Sequence, residues 1–158
     1  MRTRLRSNIL ALACVVSMSM PVPAPADQWD ELAQKFVDQE HARLVRRAAD
    51  KDGIVIVMEH PLVTERVVLV VMDAKPAISF QFKSAALPGS DVFDLMGRGG
   101  SLVVGKDAAL LTRTLRQCHK AVSAKDGGGA EVLSSAGLSV SCVVAPDGKG
   151  LNFLIAPD

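Results

Sequence analysis

Hydrophobic positions recur at helical spacing between residues 27 and 50. Trp29, Leu32, Ala33, Phe36, Val37, Leu44 and Ala48 fall on one face, and Asp30, Gln34, Lys35, Asp38 and Arg43 on the other. Asp27, Asp30 and Glu31 stand at the start of this stretch and Arg43, Arg46 and Arg47 near its end, an order that complements a helix dipole. Lys51-Asp52-Gly53 stops it. The pattern predicts one amphipathic helix over 27–50. Two unbroken apolar runs follow, Ile54 to Met58 and Val67 to Met72. Neither alternates, so both are expected to be strands covered on both faces. Residues 59–66 between them are a loop or an early start of the second strand. After a turn at Asp73 to Pro76, Ile78, Phe80 and Phe82 alternate with Ser79, Gln81 and Lys83, the pattern of a strand with one wet face.

Periodicity is lost over residues 87–100. Leu87-Pro88-Gly89-Ser90 and Gly97-Arg98-Gly99-Gly100 predict a long loop holding at most a helical turn at Asp91 to Met96, with a short strand at Ser101 to Val104. Asp107 is placed to cap a second helix reaching about Ala124, with Ala108, Leu111, Leu115, Cys118 and Val122 on one stripe. Lys125 to Gly129 reads as a flexible loop. The end of the chain reads as a hairpin: Leu138, Val140, Cys142 and Val144 alternate with Ser139 and Ser141, Pro146 to Gly150 turns the chain, and Leu151, Phe153 and Ile155 return it. The expected fold is a single α+β domain, a mainly antiparallel sheet with two helices in the order α-β-β-β-α-β-β.

Residues 1–26 have the form of a secretory signal peptide. Arg2, Arg4 and Arg6 form a basic start, Ile9 to Met20 an apolar stretch of about a dozen residues, and Ala24-Pro25-Ala26 a small-x-small site before Asp27. A retained anchor, or a lipid on Cys14, are the alternatives for this segment. Cleavage would leave a mature domain of residues 27–158. It would also remove three of the 18 basic residues and none of the 17 acidic ones, turning the formal charge from +1 to −2. Such a balance gives no electrostatic reason to seek nucleic acid or anionic lipid, and the mature form is expected to have no membrane span.

Of the three cysteines, Cys118 and Cys142 remain in the mature segment. An even pair in an exported chain is read first as a disulfide. Cys118 lies on the apolar stripe of the second helix and Cys142 on the apolar face of the hairpin, so a bond would staple helix to sheet. A reactive thiol is the alternative, but the neighbours His119 and Lys120 project from other sides of the helix.

Tests for chemistry return little. Gly100 to Asp107 has most of the spacing of a phosphate-binding loop, yet its interior is Leu-Val-Val and the residue after Lys106 is Asp107, where magnesium chemistry needs Ser or Thr. His41, His60 and His119 have no partner at metal-ligand spacing, although Met58, His60 and Met72 could meet across a hairpin as soft copper ligands. The carboxylates Glu59, Glu65, Asp91 and Asp94 show no unique pairing for acid–base work. No cofactor and no enzymatic activity are expected. The candidate binding residues are therefore Arg98, set between glycines as an outward anchor, with Asp91 and Asp94 in the same loop and His60 beside Pro61. The expected function is that of an exported protein, periplasmic or secreted. It would bind a protein partner in the envelope or outside as an accessory factor, chaperone or inhibitor. Carriage of a metal or small molecule is the alternative, and an enzyme of unrecognised type a third. Two helices cover a sheet incompletely, which leaves surface for a partner or for a second subunit.

Overall fold

The computed structural model describes residues 25–49, 51–86, 89–135 and 137–158. The segment expected to be an export signal, with Cys14, lies outside the described residues up to residue 24. Ten elements follow in the order α1 (Pro25–Glu40), β1 (Arg43–Ala49), β2 (Ile54–His60), β3 (Val63–Met72), β4 (Lys75–Phe82), α2 (Ser90–Val104), α3 (Ala108–Ser123), β5 (Gly129–Ser135), β6 (Leu138–Val144) and β7 (Leu151–Ala156). The α+β class holds, with three helices and a single seven-stranded sheet of order β1-β2-β3-β4-β7-β6-β5 in which every neighbouring pair is antiparallel. The first four strands form a meander. The chain then crosses through α2 and α3, and β7 returns to pair with β4.

All three helices lie on one face of this sheet. Side chains from alternate positions, Ile56, Met58, Leu69, Ile78, Phe80, Phe153, Ile155, Val140 and Cys142, point beneath them and are no more than 2% exposed. α1 packs on β2, α2 on β4 and β7, and α3 on β6 and β5. The two unbroken apolar runs are thus covered on one face only: Val55 and Met72 are 38% and 58% exposed on the other. Their lack of alternation reflects an apolar surface left open.

The expected helix over 27–50 ends at Glu40. His41 takes a left-handed conformation (φ 54°), and the Ala42 amide donates back to the Val37 carbonyl at 3.1 Å, which closes the helix end in a Schellman turn. The chain leaves as β1, an edge strand exposed along its whole length. Arg47 on β1 reaches back to Asp30 of α1 at 2.6 Å, so the charge order that suggested one long helix instead ties a helix to a strand.

Residues 90–104, expected as most of a loop and a short strand, form one helix, α2. Val92, Leu95 and Met96 are fully buried on it, and the glycines that suggested a break lie where neighbours come close. A Cβ on Gly99 would stand 2.7 Å from the Phe36 ring and 2.9 Å from that of Phe80. The glycines set how near α2 can lie to α1, α3 and the sheet. Its true end is Gly105, left-handed at φ 64°. α3 matches its sequence signals: the Asp107 carboxylate accepts from the Leu110 amide at 2.9 Å, and Leu111, Leu115, Cys118 and Val122 form its buried stripe. The Gly-rich stretch runs directly into β5, which the sequence pattern did not show. Cys118 and Cys142 are bonded, joining α3 to β6.

Candidate functional site

Arg98 does not stand free between its glycines. Its guanidinium grips the Glu40 carboxylate with two bonds, Nε to Oε1 at 2.8 Å and a terminal nitrogen to Oε2 at 2.7 Å. The Glu40 side chain is 6% exposed and that of Arg98 53%. This fork ties the last residue of α1 to the middle of α2 and raises the Arg98 pKa above its ordinary value. Spacing offered a signal for Glu40: residues 33, 36, 37 and 40 share one helical stripe, and a carboxylate on a buried stripe demands a cation. At the C-terminal end of α1 the helix dipole opposes that carboxylate as well. Arg98→Met is expected to destabilise the fold by about 2 kcal/mol in urea denaturation. That is below the 3–5 kcal/mol typical of a broken buried pair, because the guanidinium is half exposed. Glu40→Gln in the same chain is expected to recover most of the loss.

Asp91 and Asp94 share the exposed side of α2 with Arg98, and Asp94 lies 3.6 Å from Arg116 of α3. His60, at the end of β2, is held by the Leu62 amide, which donates to Nδ1 at 3.1 Å. Burial lowers the His60 pKa below 6.5. The Glu40 backbone carbonyl and carboxylate oppose that shift, while the Arg98 and His41 charges add to it. Arg98 and His60 thus meet around Glu40, whereas Asp91 and Asp94 line the helix leading away. A folded-state pKa below the unfolded value means that the unfolded chain binds the extra proton. Stability is therefore full above 6.5 and falls as the pH drops below it. His60→Gln should flatten the pH dependence of the urea midpoint between about pH 7.5 and 5.5.

Beside this cluster an open depression of about 510 Å³ is lined by His41, Arg43, Glu59, His60, Thr64 and Lys83 among others. Arg43 and Glu59 pair across it at 2.5 Å. The copper-type trio that the sequence allowed does not assemble: Met58 is buried beneath the helices, and Met72 is exposed at the far end of β3. No group of three or more His, Cys, Asp or Glu side chains among the described residues is arranged to hold a metal. One pair escaped the sequence reading. His119 Nε2 lies 3.2 Å from Ser123 Oγ, one helical turn along α3, and 3.4 Å from the Ala85 carbonyl. The ring also packs at 5.8 Å from Phe93 and 6.2 Å from Phe153. Its periodicity was legible, but its neighbours outside α3 come from α2, β7 and the segment after β4.

The largest feature is the sheet face away from the helices. Register places Arg46, Val57, Val68, Ser79, Leu154, Ser141 and Val132 in one row across all seven strands. On one side of it runs a row with Ala48, Val55, Val70 and Ala77. On the other, Arg66, Gln81, Asn152, Val143 and Ala130 follow one another. Val132, Val143, Val55 and Leu154 are 58%, 41%, 38% and 37% exposed. The polar groups in the middle bind one another, Ser79 Oγ donating to Asn152 Oδ1 at 2.6 Å. Side chains of this kind offer shape and apolar area, not acid–base or nucleophilic chemistry.

Among the described residues no helix is long and apolar enough to cross a membrane. No known protein family, no curated protein and no solved structure matches the chain.

Proposed function

We propose that this protein is an exported, non-catalytic binding protein, periplasmic or secreted, that acts on a protein partner as an accessory, chaperone-type or inhibitory factor. Its working surface is the sheet face left bare by the helices. One observation carries the reading: three helices pack on the same side of the sheet, so the other face has no helix over it and leaves Val55, Met72, Val132, Val143 and Leu154 in contact with water. Exposed apolar patches of such extent mark interaction sites. The Cys118–Cys142 bond supports the export half, since such bonds persist in oxidising compartments.

The test is site-specific photo-crosslinking in the native host. A crosslinking residue at Val55 or Leu154 is expected to give discrete adducts with other proteins, and one at Gln117 on the helical side none with them. Such adducts from Gln117 alone would move the function to the helices and sink the proposal.

A further inference from the structure

We infer that the edge strand β5 is an interface and that its partner is a second copy of this chain, joined β5 to β5 about a two-fold axis through Leu133. The pairing leaves the bare sheet face open and is independent of what that face binds.

The sheet has two edges, and they differ. β1 carries Arg43, Arg46 and Arg47 and a bulge between Leu44 and Arg46, devices that keep an edge from pairing. β5 has neither. It pairs with β6 in unbroken register from Gly129 to Ser135 and contains no proline. Its one charged residue, Glu131, is held by Lys125 at 2.9 Å. The Ala145 amide donates to the Gly150 carbonyl at 2.9 Å, so residues 141, 143 and 145 bond toward β7 and residues 140, 142 and 144 toward β5. Their partners on β5 are Leu133, Glu131 and Gly129, which leaves Ala130, Val132 and Ser134 with their main-chain N–H and C=O groups turned outward. Among the described residues, the Ala130 carbonyl alone of these finds a partner, Lys125 Nζ.

An open strand edge takes an extended strand, and in a two-fold pair its own residues select the register. Outward groups must meet outward groups, so the longer antiparallel overlaps centre on Glu131, Val132 or Leu133. Centring on Glu131 sets that carboxylate against its own copy. Centring on Val132 lays Glu131 beside Leu133 of the partner subunit and needs the Ala130 carbonyl that Lys125 holds. Centring on Leu133 has neither defect. Leu133 then meets Leu133 of the partner subunit, and the outward groups of Val132 bond those of Ser134 of the partner subunit on each side of the axis.

The helix above this edge fits the same axis. α3 turns one flank to α2: Thr112 bonds the Phe93 carbonyl, Arg116 lies 3.6 Å from Asp94, and His119 packs on Phe93. Its other flank, on the side of β5, is the stripe Leu110, Thr114, Gln117 and Ala121, which holds no charge and leaves Leu110 41% exposed. Arg113 and Lys120 lie off this stripe. Because α3 packs on both β5 and β6, strands about 4.8 Å apart across the axis bring the two α3 helices to about 10 Å, the contact distance of packed helices. α3 ends where β5 begins, so the two run in opposite directions. Cys118 Sγ lies 3.7 Å from the Glu131 carbonyl oxygen. Leu133 is about 5 Å further along β5, level with a point about three residues before Cys118 on α3. The axis thus passes between Thr114 and Gln117. Leu110 then meets Ala121 of the partner subunit, large against small, and Thr114 meets Gln117 of the partner subunit, hydroxyl against amide. A strand from another protein would use the edge but leave this stripe uncovered.

Sedimentation of the purified full chain over a range of concentrations tests this. A reversible monomer–dimer equilibrium is expected. Val132→Pro removes an outward N–H and spares every β5–β6 bond, so it should weaken association about a hundredfold or more with the circular dichroism unchanged. Leu110→Glu, at an exposed position, should weaken it about tenfold, and adding Ala121→Lys to the same chain should restore it. Residues 110 and 121 stand about 17 Å apart along one α3, so rescue comes only across the axis. A crosslinking residue at Gln117 should join chain to chain, the adduct mapping to the segment that holds Thr114. A monomer at every concentration overturns the inference, as does a dimer that Leu110→Glu leaves intact or that Ala121→Lys fails to rescue. A folded Val132→Pro chain that still dimerises also overturns it; if Val132→Pro disturbs the fold, the Leu110→Glu and Ala121→Lys pair decides. Adducts from Val55 to other proteins are expected unchanged in each of these variants, so failure here leaves the reading of the sheet face standing.

Discussion

Reduction of the Cys118–Cys142 bond is expected to lower the stability of the fold by about 3 kcal/mol, on the chain-entropy account of a loop of this size. Against a typical total of 5–15 kcal/mol that is a large share, and for a domain of this length it corresponds to a fall in Tm of about 10 °C. The bond matters because of what its loop contains. Between Cys118 and Cys142 the chain finishes α3, passes the glycines at 127–129 and lays down β5, an edge strand with only β6 as its strand neighbour. Without the crosslink, β5 and the adjoining end of α3 hold to the sheet by their own packing alone. Both cysteines are fully buried, and reduction keeps their sulfur atoms in the core, so it removes the crosslink without the loss of buried volume that substitution brings. Cys118→Ala with Cys142→Ala should cost more than reduction, because two buried sulfur atoms are lost as well. Urea denaturation of oxidised, reduced and doubly substituted chains checks the order. A reduced form within about 1 kcal/mol of the oxidised one would show that the bond is incidental to the fold, and would remove the main support for an oxidising destination.

Sequence was a good guide where local signals and tertiary packing agree. α3 has an Asp cap, a clean apolar stripe and a glycine-rich exit; its cap is the expected Asp107, and its expected end at about Ala124 lies one residue past the observed Ser123. The closing hairpin alternates, and Cys142 took its place on the buried face for that reason. The failures lie where packing overrides local preference. Glycine in a helix costs up to about 1 kcal/mol against alanine, so Gly97, Gly99 and Gly100 together read as a break. They are tolerated because Phe36, Ile155 and Thr112 fill the space their side chains would need. The end of α1 was hidden because a histidine, not a glycine, takes the left-handed turn. β1 was hidden because every residue of it is exposed. The open sheet face was also written in the sequence, but its apolar residues look the same whether a helix covers them or water does. Arg98 and His60 stood out in the sequence as candidate binding residues. Their connection through Glu40 needed the fold.

Gly97→Val should destabilise the protein by about 3 kcal/mol, at the upper end of the cost of overpacking, although replacing a helical glycine would by itself favour the helix. A Cβ at this position would lie 2.2 Å from Thr112 Oγ1, 2.7 Å from the Ala108 carbonyl oxygen and 3.2 Å from the Thr112 amide nitrogen. The first of these atoms can rotate away; the other two belong to the first turns of α3 and cannot move unless the helices part. Rotation also has a cost, since the Thr112 hydroxyl donates to the Phe93 carbonyl of α2 at 3.3 Å. Thr112→Ala in the Gly97→Val background should therefore recover only part of the loss. Gly100→Ala provides the contrast. Its nearest atom is the terminal methyl of Ile155 at 2.6 Å, the end of a flexible side chain. The gain of about 1 kcal/mol from helix propensity should roughly offset that adjustment. The ranking Gly97→Val well below Gly100→Ala in urea midpoint separates packing from propensity as the reason for the glycines. It also bears on the neighbouring cluster, because Arg98 is the next residue along α2. If the clash pushes α2 away from α3, the grip of Arg98 on Glu40 loosens, and Arg98→Met should then cost less in the Gly97→Val background than in the native chain. Equal costs in both backgrounds would mean that α2 absorbs the clash without moving its charged face.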